Sequence, residues 1–212
     1  MAIIAENSGN GENYVPVDAG TYMARCFSMV HIGTVEMTWE GQVKHLNKVR
    51  LSWELPTELK EFKEGEGEKP YVISKEYTLS MHEKANLRKT LESWRGAPFT
   101  EDQAKAFDVT KLLGVECMLS IIHSVPKADG RTYANISSIA KLMKGSVCPE
   151  QISPRFEFSY DQPTAELLEK FESFPDFLKD KIKSTPEWKK AQMPETTEVA
   201  DEDEKETDDL PF

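Results

Sequence analysis

The sequence predicts a mainly β protein: a five-stranded barrel of order β-β-β-α-β-β, then a small helical appendix and a disordered acidic tail. Three observations carry this. Strand-like runs fill residues 14–79, a helix-start signal changes the period at Ser80, and Asp129-Gly130 marks a hairpin between two further β-rich runs.

Residues 1–13, with Gly9 and Gly11, read as a flexible lead. A turn at Asp18-Ala19-Gly20 opens the first strand, Thr21–Val30, extendable to Ile32 and apolar on both faces, as in the bent first strand of a small barrel. Gly33 is a candidate bulge. Thr34–Gln42, containing Glu40-Gly41, reads as a connecting loop that holds Trp39. The second strand, Val43–Leu55, sets Val49, Leu51, Trp53 and Leu55 on one face and Lys48, Arg50, Ser52 and Glu54 on the other. Pro56 ends it, and the charged, glycine-bearing stretch Thr57–Lys69 is a long loop. The third strand, Tyr71–Leu79, places Tyr71, Ile73, Lys75, Tyr77 and Leu79 together.

At Ser80 the period becomes helical. Ser80 and Glu83 fit a capping box, Met81, Ala85, Leu87, Leu91 and Trp94 form the buried stripe, and Gly96 follows the end. Trp94 and Phe99 read as packing for this insert. Thr100 and Gln103 open a short second helix, and Asp108 starts one more turn before Gly114. Strands then run Val115–Val125 and Arg131–Ile139 about a turn at Lys127-Ala128-Asp129-Gly130.

This order, with the helix between the third and fourth strands, is that of the oligonucleotide-binding fold (OB-fold). Another small barrel or an α+β sandwich shares it, so order alone does not decide. The domain spans residues 14–147 and the appendix 148–191, with a short strand at Arg155–Phe158 and helices at Thr164–Phe174 and Pro175–Lys183. Leu167, Leu168, Phe171, Phe177, Leu178 and Ile182 are the apolar residues of those two helices. Thr185-Pro186 restarts a helix, since Thr suits the cap and Pro the first helical position. The appendix either packs on the barrel or offers a partner or dimer surface, which leaves a homo-oligomer open.

Composition narrows the function classes. No apolar run approaches about 18 residues, and residues 1–24 lack the basic region of a secretory signal, so a cytoplasmic protein is expected. Cys26, Cys117 and Cys148 lack any C-x-x-C spacing, and the four histidines are scattered, so neither a metal nor a cofactor is expected. The net charge of −11 argues against phosphate binding only if it is spread evenly. It is not. Residues 14–147 carry 18 basic and 17 acidic residues, whereas residues 192–212 carry 1 and 9.

A near-neutral barrel can hold a basic groove on one face. Single-stranded nucleic acid needs such a groove along its phosphates, with aromatic faces for its bases. The surface across strands two and three and the flanking loops supplies Trp39, Lys44, Lys48, Arg50, Lys75, Tyr77, Lys127, Arg131 and Tyr133 as candidates. Tyr77 shares its face with Ile73 and Leu79, so burial competes with stacking, and Trp53 belongs to the core. Each lysine alone is an ordinary solvated residue; the cluster is the signal.

The tail, 192–212, has almost no apolar area to bury until Leu210-Pro211-Phe212. An apolar tip on a charged tether suits a partner pocket with a basic rim. Asp208-Asp209-Leu210-Pro211-Phe212 resembles the tip of bacterial single-stranded DNA-binding proteins, which implies that these five residues recruit replication or repair proteins. Residues 71–79, Glu83–Lys89 and Glu92–Gly96 resemble a family of phage-encoded single-stranded DNA-binding proteins. That resemblance implies the same barrel and a non-enzymatic role in replication or recombination, with little sequence preference. Carboxylates imitate phosphates, so the tail is also a candidate occupant of the groove when DNA is absent. Two other classes stay open: a replisome adaptor that binds proteins rather than DNA, and a metal-dependent nuclease.

Overall fold

The structure is a computed structural model that describes residues 15–125 and 132–192. Its main elements are β1 (Gly20–Trp39), β2 (Gln42–Glu61), β3 (Glu68–Thr78), α1 (Asn86–Arg95), α2 (Glu101–Lys105), β4 (Glu116–His123), β5 (Ala134–Ala140), β6 (Phe156–Phe158), α3 (Thr164–Glu172), α4 (Asp176–Lys183) and α5 (Pro186–Ala191). They form a mainly β protein. Five strands run antiparallel in the order β3-β2-β1-β4-β5, and β6 joins β1 in parallel, with Ser28 opposite Phe156 and Val30 opposite Phe158. The sheet is open: among the described residues no backbone ladder joins β3 to β5. Those two edges meet instead through Lys75, whose Nζ donates to the Ile136 carbonyl at 3.0 Å. No helix among the described residues is long and apolar enough to cross a membrane.

The first two strands are longer than their sequence suggests. Thr34–Trp39 continues β1 and pairs with Gln42–Asn47, correcting the expected loop. The turn is only Glu40-Gly41, with φ of 50° and 75°, and two positive central angles match the right-handed twist of a tight hairpin. Likewise Pro56 does not end β2. It lies where the register jumps from Leu55 to Leu59, so its missing N–H breaks no ladder bond. The expected loop Thr57–Lys69 shrinks to residues 62–67.

Gly33 is a bulge, with a register shift beside it and φ of 98°. A Cβ there would lie 2.8 Å from Glu187 Oε2 and 3.0 Å from Thr185 Oγ1. The close approach lets the Glu187 carboxylate accept from the Thr34 hydroxyl at 2.6 Å and the Thr34 amide at 2.9 Å. Burial works to raise the Glu187 pKa, but these bonds prevail and hold it below the usual carboxylate value. This clip therefore stabilises the fold above the unfolded carboxyl pKa and is lost as pH falls through the lowered folded one. Gly33→Ala combines a left-handed angle with a collision, and is expected to cost about 1–3 kcal/mol in urea unfolding.

Two apolar cores share β1. Val49, Leu51, Trp53 and Leu55 are all buried with Cys26, Cys117, Leu119 and Ile139, and α1 closes this core with Leu87, Leu91 and Trp94. Trp94 donates its indole N–H to the Glu116 carbonyl at 2.8 Å, and its ring lies 5.8 Å from that of Trp53. The helix begins at Asn86 rather than near Ser80, and the Ser80–Glu83 capping box does not form: Ala85 is the N-cap and has no side-chain bond. The reason lies in residues 80–85, where a turn bonds the Ala85 amide to the His82 carbonyl. Gly96 does end α1 in the left-handed conformation, and the Thr100–Gln103 box does open α2. Asp108 caps a 3₁₀ turn at Val109–Leu112. Arg88 is buried beside the insert and holds it through Glu92, Glu101 and the Met81 and Phe99 carbonyls.

The second core lies on the other side of β1. Val30, Ile32 and Val35 pack with Phe158, Leu167, Phe171, Phe174, Leu178, Ile182 and Trp188. Phe171 stacks on Trp188 with centroids 4.0 Å apart, and Thr185 caps α5 by accepting from the Trp188 amide. Leu168 and Phe177, expected in the apolar stripe, are exposed instead. Residues 148–153 are tied down by two groups. Arg25 donates to the carbonyls of Cys148 and Pro149, and the fully buried Glu54 accepts from the amides of Ile152 and Ser153, each at 2.7 Å. The three cysteines are buried free thiols; burial pushes Cys26 up to about 12, so it is no nucleophile near neutral pH.

Candidate nucleic-acid interface

A cavity of about 790 Å³ runs along the unpaired edge of β3, walled by the turn at residues 80–85, the start of α1 and Ser137 of β5. Lys48, Lys75, Lys84 and Lys89 line it together with His82. Its single carboxylate is Glu76, which also faces Arg50 at 3.7 Å and bonds Lys181. The groove is therefore basic. The N-terminus of α1 opens into it without a side-chain cap, so the positive end of the helix dipole adds to the lysines.

Each lysine is placed by local structure. Lys84 and Lys89 are exposed, one in the turn before α1 and one on the helix face opposite Leu87 and Leu91. Lys48 reaches across to β3, where its Nζ donates to Thr78 Oγ1 at 2.9 Å. Partial burial lowers its pKa despite the nearby Glu76. Lys75 sits on the opposite face of the sheet from Lys48 and enters the groove through the β3–β5 seam.

The expected residues thus fall into three groups. Lys48, Lys75 and Tyr77 meet at the groove, but Tyr77 is only 3 % exposed and belongs to the core, so it presents no face for a base. Burial pushes its hydroxyl up to about 12. Lys44, Arg50 and Tyr133 lie elsewhere. Lys44 is exposed toward the far end of the β1–β2 hairpin, opposite Met37. Arg50 lies between Glu76 and the Phe177 ring of α4, 5.6 Å from its centroid. Tyr133 closes the base of the β4–β5 hairpin, its amide donating to Ser124 Oγ at 3.0 Å. Trp39 ends β1, and nothing is described of its side chain. Lys127, Arg131 and the tip Asp208, Asp209, Leu210, Pro211 and Phe212 lie outside the described residues.

Sequence reasoning missed His82, Lys84 and Lys89. Their signal was a basic run entering an apolar-striped helix, and the expected capping box hid it by placing Lys84 inside that helix. Among the described residues no group of three or more His, Cys, Asp or Glu could hold a metal ion. No protein-family model matches the chain, and no curated protein or solved structure is significantly similar to it.

Proposed function

We propose that the protein is a phage-type single-stranded DNA-binding protein with an OB-like barrel, which coats exposed strands in replication or recombination and recruits partners through its acidic tail. The observation that carries this reading is the basic groove. Four lysines and an uncapped helix end converge on one cavity, while the chain as a whole carries −11. In this reading the phosphates lie against Lys84, Lys89 and Lys48, and the strand follows the β3 edge. His82, exposed at the groove, offers a ring to a base. Nothing in such a site discriminates sequence, because its donors address the backbone.

The test is a fluorescence-anisotropy titration of a dye-labelled single-stranded oligonucleotide and of its duplex at several salt concentrations, because among the described residues no tryptophan lines the groove. A saturable rise in anisotropy is expected for the single strand, with weaker binding of the duplex. The plot of log affinity against log salt should have a slope of about −2 to −3, since each neutralised phosphate of a single strand contributes about 0.7. Absence of saturable binding at low salt, in the full chain and in a chain lacking residues 193–212, defeats the proposal and leaves the adaptor reading ahead.

A further inference from the structure

A second cavity, of about 440 Å³, lies between the C-terminal half of α1, the insert that follows it and residues 141–146. None of its lining residues belongs to the lysine groove. Trp94 and Leu112 form a buried apolar floor, and Phe107, Val115 and Met143 the rim, the last two 40 % and 63 % exposed. Exposed apolar side chains gathered at a cavity mark a binding surface, whereas the same residues scattered would not. The volume falls toward the lower end of the roughly 300–1,000 Å³ usual for small-ligand pockets, which suits a single acyl chain or ring system.

Two cations stand at the end of α1, on the cavity wall. The Arg95 guanidinium is held 4.5 Å over the Phe99 ring and spends one bond on Gln103, at 3.2 Å. The Lys141 stem crosses Gly96, where an added Cβ would lie 3.3 Å from its Cδ, so the side chain runs beside Arg95. Lys141 is exposed and makes no hydrogen bond or ion pair among the described residues. The neighbouring acids are already engaged. Glu92 accepts from Arg88 and from the Phe99 amide, each at 3.1 Å, and Glu116, the cavity's carboxylate, is paired with Arg25 at 3.2 Å. The carbonyl end of α1 offsets only about half a charge. An excess of positive charge therefore borders an apolar hollow.

We propose that this cavity binds a small anionic amphiphile, a carboxylic acid carried on an acyl chain. The carboxylate lies between Arg95 and Lys141, taking two parallel N–H bonds from the guanidinium and a point charge from the ammonium. The chain lies against Trp94, Phe107 and Met143, where each methylene removed from water tightens binding about four-fold. Such a ligand joins α1 to residues 141–146 and so fastens the insert to the segment that follows β5. The site stands independently of whether the groove binds DNA.

Amide ¹H–¹⁵N spectra of the full chain, titrated with decanoate below its micelle concentration, test the proposal. Saturable shifts should gather at Leu91–Arg95, Leu112–Glu116 and Lys141–Met143. Octanoate, two methylenes shorter, should bind roughly ten-fold more weakly, and the neutral decanol and the cationic decylamine at least about ten-fold more weakly. Lys141→Glu, an exposed change that leaves the apolar floor intact, should weaken decanoate about ten-fold, while Lys141→Arg, which keeps the charge, should stay within about three-fold. No saturation by about 1 mM decanoate overturns the proposal. So do decanol or decylamine binding as tightly as decanoate, binding indifferent to Lys141→Glu, and shifts confined to the lysine groove.

Discussion

The double variant Lys84→Glu, Lys89→Glu is expected to bind a single-stranded oligonucleotide roughly 100-fold more weakly than the wild-type chain at low salt, about ten-fold per reversed charge. Both side chains are exposed, so the substitutions leave the core untouched. Both line the groove beside the uncapped start of α1. Each reversal removes a phosphate partner and sets a carboxylate against the strand, so the salt slope should also flatten by about 1.4. Lys44→Glu is the control: Lys44 is equally exposed, carries the same charge and lies outside the groove. Binding that falls equally for Lys44→Glu reflects net charge alone, and binding unchanged in the double variant removes the groove from the function.

Glu54→Ala is expected to destabilise the protein by about 2–4 kcal/mol, read from urea unfolding. The carboxylate is fully buried and accepts from two consecutive amides, Ile152 and Ser153, at 2.7 Å each. Removing it leaves two backbone donors without their acceptor, at roughly 1–3 kcal/mol apiece where water does not replace it. Ile152 is half exposed, which holds the total toward the middle of that range. Glu54→Gln retains the shape but turns one acceptor into a donor facing an N–H, so it should recover only part of the loss. Proteolysis within residues 148–155 should rise in parallel. A change below about 0.5 kcal/mol would mean that solvent satisfies those amides as well as the carboxylate does.

The two sites differ in how much of them could be read from residues. Alternation over Val49–Leu55 announced the core face, and Gly96, the Thr100–Gln103 box and Thr185-Pro186 announced helix ends, because each rests on neighbours in the chain. The same logic misled at Glu40-Gly41 and Pro56. There a polar turn and a proline look like loop, yet pairing between β1 and β2 carries the ladder up to the turn, and pairing between β2 and β3 resumes past the proline. The groove was half legible. Lys48 and Lys75 stand on strands whose alternation is visible, but they reach it from opposite faces of the sheet, which only the gap between β3 and β5 permits. Glu54 looked like a solvated strand residue, since nothing local shows that residues 152 and 153 return to cover it.

β1 has a consequence for anyone dividing this chain. Its first half supplies Cys26 and Met29 to one core, and its second half supplies Val30, Ile32 and Val35 to the other. Composition suggests a cut after residue 147, but a fragment ending there would expose that second apolar strip to water and lose the parallel pairing of β6. Such a fragment should aggregate. Because they share β1, the two cores are expected to melt as one cooperative unit in thermal unfolding, and the shortest piece expected to stay in solution extends through Trp188.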